Sequence, residues 1–245
     1  MTAEAIVLAG GLGTRLGALT AGVPKPMVPI RGRPFLCFVL DYLVREGISR
    51  IILSVGYLHE AIEAFFGTRY RDTEIIYAVE DEPLGTGGAL RLALSLAQTD
   101  LVLVLNGDTI FPVPVRFLVE AQQRLQADLV MALKRVTESG RFGRIELDAG
   151  RVTSFMEKSG AGAALINGGV YLVRRERILA HLPRSTGSLE RDVLPGLVRS
   201  HVIAGVIAAA EFLDIGEPIS YALAQSVLAG ECGPRPVPPD KAAGP

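Results

Sequence analysis

Short, mostly apolar runs separated by helix-length stretches constrain this chain more than any other feature. Residues 5–9 (Ala-Ile-Val-Leu-Ala), 51–55 (Ile-Ile-Leu-Ser-Val), 74–79 (Glu-Ile-Ile-Tyr-Ala-Val) and 101–105 (Leu-Val-Leu-Val-Leu) are too short for helices. Their near-continuous apolar character reads as strands buried on both faces. Between them, residues 34–43, 59–66 and 86–97 have helical character, with Gly47 and Gly67 closing the first two. Such alternation predicts an α/β fold: a Rossmann-like, mostly parallel mixed central sheet with helices on both faces. In sheets of this kind ligands gather beyond the carboxyl ends of the strands.

The pattern changes beyond about residue 128. Residues 129–134, 144–147, 152–156 and 164–173 read as strands with few helices between them. Helical stretches follow at 175–180 and 189–199, then strands at 202–208 and 211–215, and a last helix at 218–228. The proline-rich end, residues 231–245, is expected to be disordered.

With 245 residues, 49% apolar and 21% charged, the chain can bury a sizeable core as one large domain. A net charge of −1 gives no global basic field, which argues against a nucleic-acid partner and leaves any nucleotide to a local pocket. Cys37 and Cys232 do not make a disulfide framework or a zinc site, and His59, His181 and His201 follow no ligand spacing. The opening Met-Thr-Ala-Glu has no targeting pattern and no apolar stretch approaches a membrane span, so a cytoplasmic protein with no membrane partner is expected.

The first apolar run opens into Gly10, Gly11 and Gly13, followed by Thr14 and Arg15. Glycines allow close backbone approach, successive inward N–H groups form an anion-binding concavity, and a guanidinium can grip two phosphate oxygens. Lys25 follows between Pro24 and Pro26, on a stiff segment. Together these residues read as a polyphosphate site. The Walker pattern fails because no Gly-Lys-Ser/Thr is present there. The dinucleotide pattern fails because Leu16 stands where its third glycine belongs.

Gly10-Gly11-x-Gly13-Thr14-Arg15-Leu16 followed by Pro24-Lys25-Pro26-Met27 resembles the sugar-1-phosphate nucleotidyltransferases. The resemblance implies that an NTP and a sugar 1-phosphate are converted to an NDP-sugar and pyrophosphate, with Mg²⁺ as cofactor. It implies a nucleotidyltransferase domain over residues 1–230. Residues to about 125 would bind the nucleotide and about 126–230 the sugar phosphate.

Matched residue by residue, the family pattern implies nucleotide contacts at Leu8, Gly10, Gly11, Gly13, Thr14, Glu80, Pro83, Gly85, Thr86, Asn106 and Gly107. Arg15, Lys25 and Lys158 would be catalytic. Asp108, after the fourth apolar run, and Asp214, after Phe212-Leu213, would hold Mg²⁺; a turn or helix cap is the other common use of such aspartates. Gly143, Glu157, Lys158, Asn167 and Gly168 would meet the sugar phosphate. One departure stands out: the family's proline after the Glu-Lys pair is replaced by Ser159-Gly160-Ala161-Gly162.

The position matching Glu80 faces the base in the family. A carboxylate only accepts hydrogen bonds, and guanine presents two adjacent donors where thymine and uracil present one. GTP is therefore favoured over pyrimidine nucleotides, although Glu80-Asp81-Glu82 would equally suit a solvated acidic turn.

Within the family the chain looks most like D-glycero-α-D-manno-heptose 1-phosphate guanylyltransferases. Pro34-Phe35-Leu36, Ser54-Val55-Gly56-Tyr57, the 80–88 segment, Phe212-Leu213-Asp214-Ile215-Gly216 and the lack of room for a C-terminal β-helix carry that likeness. Mannose-1-phosphate guanylyltransferases come next, then glucose-1-phosphate thymidylyl- or uridylyltransferases. A nucleotide-sugar-binding regulatory subunit is the non-enzymatic alternative. Homo-oligomerisation, feedback control and the sugar's stereochemistry are left open.

Overall fold

The computed structural model describes residues 4–11, 13, 22–140, 142–156, 162–200 and 202–228. In chain order the strands are β1 (Glu4–Leu8), β2 (Pro29–Ile30), β3 (Arg33–Pro34), β4 (Arg50–Val55), β5 (Arg69–Tyr70), β6 (Thr73–Val79) and β7 (Leu101–Asn106). They continue with β8 (Thr109–Ile110), β9 (Leu129–Val136), β10 (Arg144–Asp148), β11 (Arg151–Met156), β12 (Ala164–Arg174), β13 (Ile203–Ala208) and β14 (Leu213–Asp214). The helices are α1 (Phe35–Arg45), α2 (His59–Phe66), α3 (Gly85–Leu96), α4 (Val115–Leu125), α5 (Arg175–Leu179), α6 (Leu194–Ser200) and α7 (Pro218–Val227). A 3-10 turn covers Lys25–Met27, and a π-helical turn, Leu189–Val193, leads into α6.

Ten strands form one sheet in the order β10-β11-β13-β9-β12-β7-β1-β4-β6-β5. β7, β1, β4 and β6 run parallel, as the strand–helix alternation predicts. β12 then enters antiparallel between β7 and β9, and β13 lies parallel beside β9. The mixed character of the sheet therefore comes from its second half. β10 pairs with β12 as well as β11, so β10, β11, β13, β9 and β12 close into a five-stranded ring.

Alternate residues of each central strand feed opposite cores, as a period of two requires. Ala5, Val7, Ile51, Leu53, Leu103 and Leu105 join one core; Ile6, Ile52, Val102 and Val104 join the other. The first is covered by α1, α2, α4 and α7 through residues such as Phe38, Ile62, Leu118 and Ala224. The second is covered by α3, α5 and α6 through Leu90, Ile178 and Leu197. Burying strands on both faces is what made their sequences read as unbroken apolar runs.

Glu4 fixes the amino-terminal end of β1. It is buried, accepts hydrogen bonds from the Gln98 and Thr99 amides at 2.7 and 2.5 Å, and pairs with Arg50. Burial works to raise its pKa. Hydrogen bonds from Thr99, Gln98 and Arg50 outweigh that and hold the carboxyl below its ordinary 4.5.

Two local expectations differ. α4 was not anticipated: Val115, Leu118, Val119, Ala121 and Leu125 face the core along its length, with Gln122 buried among them, its amide donating to the Ala127 carbonyl at 3.3 Å. The strand expected over 211–215 shrinks to Leu213–Asp214, the two residues that pair with β8, and Phe212 before it packs edge-on against Phe111 and Phe142. No helix among the described residues is long and apolar enough to cross a membrane. The tail expected at 231–245 lies outside the described residues.

Candidate active site

Because β1, β4, β6 and β7 are parallel, the residues that follow them share one edge of the sheet. Gly10, Gly56, Glu80 and Asp108 gather there. The Gly107 amide donates to the Leu8 carbonyl at 2.9 Å. A β-carbon at 107 would sit 2.8 Å from that same oxygen, so the close approach of the two turns requires glycine.

Lys25 enters this edge from the 3-10 turn between its prolines. It is buried, with 6% of its surface exposed, and its ammonium is paired with the Asp108 carboxylate. Asp108 keeps 31% of its side chain exposed, so the pair opens towards solvent on the acid's side. The two-stranded ladder β8–β14 brings in the second aspartate. Asp214 registers with Thr109, and the Ile215 amide donates to the Asp108 carbonyl at 3.0 Å. Asp214 Oδ1 accepts from the Gly216 amide at 2.7 Å, which orients the carboxylate. Asp108 and Asp214 thus sit on adjoining backbone positions although 106 residues separate them. Among the described residues no group of three or more His, Cys, Asp or Glu is placed to hold a metal, so a cation here would rely on two protein carboxylates and on oxygens from elsewhere.

Glu80 lies over the first glycine turn. A β-carbon on Gly10 would be 2.5 Å from Glu80 Oε1, while Oε2 accepts from the Leu84 amide at 2.9 Å. Burial raises its pKa and the Leu84 hydrogen bond opposes that; burial wins. Glu80 is therefore a half-buried acceptor whose second oxygen faces the glycine turn, not a member of a solvated acidic patch.

The Pro83–Gly88 segment is held by its own fold. Gly87 N donates to Gly187 O at 2.8 Å and Gly187 N donates to Leu84 O at 2.9 Å. Gly85 has φ +67°, and a β-carbon there would meet Gly187 O at 2.6 Å. The Thr86 hydroxyl donates to Glu190 Oε2 at 2.9 Å and accepts from the Leu189 amide at 2.8 Å. These glycines and this threonine fasten the segment to residues 183–190, an anchoring role that local sequence does not signal.

On the sugar side, Asn167, Gly168 and Gly169 form an irregularity in the pairing of β12 with β9. Asn167 Oδ1 accepts from the Gly169 amide at 2.9 Å and its Nδ2 donates to the Tyr171 hydroxyl at 2.5 Å. Gly168 packs on the Phe111 ring, and a β-carbon on Gly169 would lie 2.9 Å from Asn106 Nδ2. Asn167 and Gly169 of β12 are thereby linked to Asn106 at the end of β7. Gly143 lies between Phe142, which packs on Phe212, and Arg144, which pairs with Ile166 of β12, and its backbone is near the Met156 carbonyl. Gly11 and Gly13 lie in the turn after β1; Thr14, Arg15, Glu157 and Lys158 lie outside the described residues.

Residues 4–230 match the family described as Nucleotidyl transferase. The chain belongs to the nucleotidyl transferase family. This nucleotidyl transferase is 41% identical over 225 residues to the D-glycero-alpha-D-manno-heptose 1-phosphate guanylyltransferase of Aneurinibacillus thermoaerophilus, covering 92% of this chain and 98% of that one. It is 36% identical to the corresponding protein of Campylobacter jejuni, covering 89% and 96% of the two chains. Its fold superimposes on the crystal structure of HddC from Yersinia pseudotuberculosis complexed with GMP-PN, with a TM-score of 0.81, 34% identity, and 92% and 99% coverage.

Proposed function

We propose that this nucleotidyl transferase makes GDP-D-glycero-α-D-manno-heptose and pyrophosphate from GTP and D-glycero-α-D-manno-heptose 1-phosphate. Supporting it foremost is the 41% identity that runs along 98% of a guanylyltransferase for that sugar. The half-buried acceptor Glu80 beside Gly10 adds support for guanine, whose N1–H and 2-amino group both donate.

The sugar phosphate is already an anionic nucleophile, so the protein's task is to align it with the α-phosphorus and to neutralise charge. Lys25, held rigid by its prolines, neutralises the phosphates at the reacting centre. Arg15 takes the β- and γ-phosphates, and Lys158 orients the attacking phosphate beside Glu157, which accepts from sugar hydroxyls. Asp108 and Asp214 are hard oxygen donors on adjoining positions, a set that fits Mg²⁺ completed by substrate phosphates. When bound, Mg²⁺ supplies charge neutralisation at the polyphosphate. Residues up to about 125 serve the nucleotide and those beyond it the sugar phosphate, with the cytoplasm as the site of action.

The test is pyrophosphate release with GTP, ATP, CTP, UTP or dTTP against a panel of sugar 1-phosphates including mannose and glucose. Release confined to GTP with the manno-heptose phosphate is the expected result. Efficient release with dTTP or UTP overturns the guanine assignment, preference for mannose 1-phosphate overturns the sugar, and silence with every pair overturns catalysis. Asp214→Asn should raise the Mg²⁺ concentration needed for half-maximal rate; an unchanged requirement removes Asp214 from the metal set.

A further inference from the structure

The turn that carries Lys25 runs straight into the β2–β3 hairpin. The Val28 amide donates to the Lys25 carbonyl at 3.2 Å, and the Phe35 amide closes the hairpin onto the Val28 carbonyl at 3.1 Å. Arg31 and Gly32 form the tip, with φ +49° and +79°. Two-residue hairpin turns with both φ values positive favour Asn-Gly, and a long side chain at the first position strains the backbone. Such a conformation persists where its surroundings hold it.

α7 holds this one. Gln225 Oε1 accepts from the Arg31 amide at 2.9 Å, and the Gln225 carbonyl accepts from Arg31 Nε at 2.8 Å. The Pro29 carbonyl accepts from Gln225 Nε2 at 2.9 Å and from the Tyr221 hydroxyl at 2.7 Å. Tyr221 and Gln225 are four residues apart on a helix, so one face of α7 makes all of these bonds. α7 itself starts four residues after Asp214, and the intervening Ile215 amide donates to the Asp108 carbonyl at 3.0 Å. Asp108 in turn pairs with Lys25. The connection is a closed ring: Lys25 to the hairpin, the hairpin to α7, α7 to Asp214 and Asp108, and Asp108 back to Lys25.

We propose that Gln225 and Tyr221 are positioning residues for nucleotidyl transfer: by clasping the β2–β3 hairpin to α7 they fix the Lys25 ammonium against Asp108 and Asp214. The inference rests on the reaction and on the role of Lys25 proposed above. Gln225 and Tyr221 act through the hairpin, not by touching substrate. Their bonds to Pro29 and Arg31 are solvent-exposed, so water can replace them when they are removed. The cost then falls on the placement of Lys25 rather than on folding.

The experiment measures pyrophosphate release by Gln225→Ala, Tyr221→Phe and the two combined, each in the wild-type and the Lys25→Ala protein, with melting temperature as a check on folding. The combined variant should lower kcat about tenfold, with the KM for GTP and for the sugar 1-phosphate within about twofold of wild type, as expected when reacting groups are misplaced. Its melting temperature should fall by no more than about 4 °C. In the Lys25→Ala protein the same two changes should bring no further loss of kcat, because no ammonium is left to misplace. An unchanged kcat in the combined variant, beside an impaired Lys25→Ala, overturns this inference alone. So does a tenfold loss that recurs in full in the Lys25→Ala protein, which would mark a general loosening. If the combined variant does not fold, the two single variants decide by the same criteria, each with an expected fall in kcat of about threefold. Wild-type silence with every substrate pair, or near wild-type turnover in Lys25→Ala, is a separate result: it defeats the underlying reading, and this inference with it.

Discussion

The ammonium of Lys25 and the carboxylate of Asp108, 83 positions apart in sequence, are in direct ionic contact. Each comes from a constrained segment: Lys25 from a turn flanked by two prolines, Asp108 from a turn whose glycine is pressed onto Leu8. Neither needs to search for the other, so a cation and an anion are held ready at the end of the parallel strands.

Lys25→Ala should lower kcat/KM by about 10²–10³, the cost of removing one preorganised charge from a reacting centre. Stability should change little, by no more than about 1 kcal/mol, because the Asp108 side chain it deserts is 31% exposed and can be solvated. Pyrophosphate-release kinetics and thermal unfolding together check this; near wild-type turnover would remove Lys25 from the reacting centre.

Glu80→Gln should reduce the preference for GTP over dTTP and UTP about ten- to hundredfold, the worth of a hydrogen bond to a charged group. Burial raises the Glu80 pKa, so the carboxylate takes up its proton at a higher pH than an ordinary glutamate. As pH falls, KM for GTP should therefore begin to rise before the usual carboxylate range is reached. Glu80→Gln should lack that inflection. An identical pH profile in the two proteins would separate Glu80 from base recognition.

Gly168→Ala tests the packing between β12 and β8. The added methyl meets the ring of Phe111, which is 1% exposed and cannot swing away, and the Ala132 carbonyl at 3.0 Å. A loss of about 1–3 kcal/mol is expected from overpacking of this kind, measured by denaturant unfolding. Phe111→Leu in the same chain should recover part of it. A Gly168→Ala protein as stable as wild type would show that this contact yields easily.

The buried Glu4 gives a pH signature in stability. Its folded pKa lies below the unfolded value near 4.5, so the folded state binds fewer protons. Its stabilisation is fully present above the unfolded pKa and is lost as pH falls through the lower, folded one. Glu4→Gln should therefore be less stable than wild type at neutral pH, with the gap closing as pH falls below 4.5. A gap of constant size across that range would exclude the ionic contribution.

The parallel strands and both sets of helices were legible because local sequence carries period and burial: residues 51–55 and 101–105 had to be buried on both faces, and Gly47 and Gly67 had to end helices. The residues after those strands followed from them. What local sequence could not carry was pairing at long range. Nothing in residues 164–173 tells that this strand runs antiparallel between two others, and nothing near Thr86 tells that Glu190 engages its hydroxyl. Gly169 shows the same limit, since it lies against Asn106 of another strand. α4, by contrast, carries a helical period in Val115, Leu118, Val119 and Leu125 and was open to reading from local sequence.

The additional pairing of β10 with β12 has a consequence for solubility. A ten-stranded sheet ordinarily presents two lateral edges, each a template onto which another chain can add. Here one edge is turned back on the sheet itself, and the other is β5, two residues long and bearing Arg69. Closure at β10 leaves the β6–β5 side as the one lateral edge of the described sheet, so fewer unpaired backbone groups are offered to the strands of another chain.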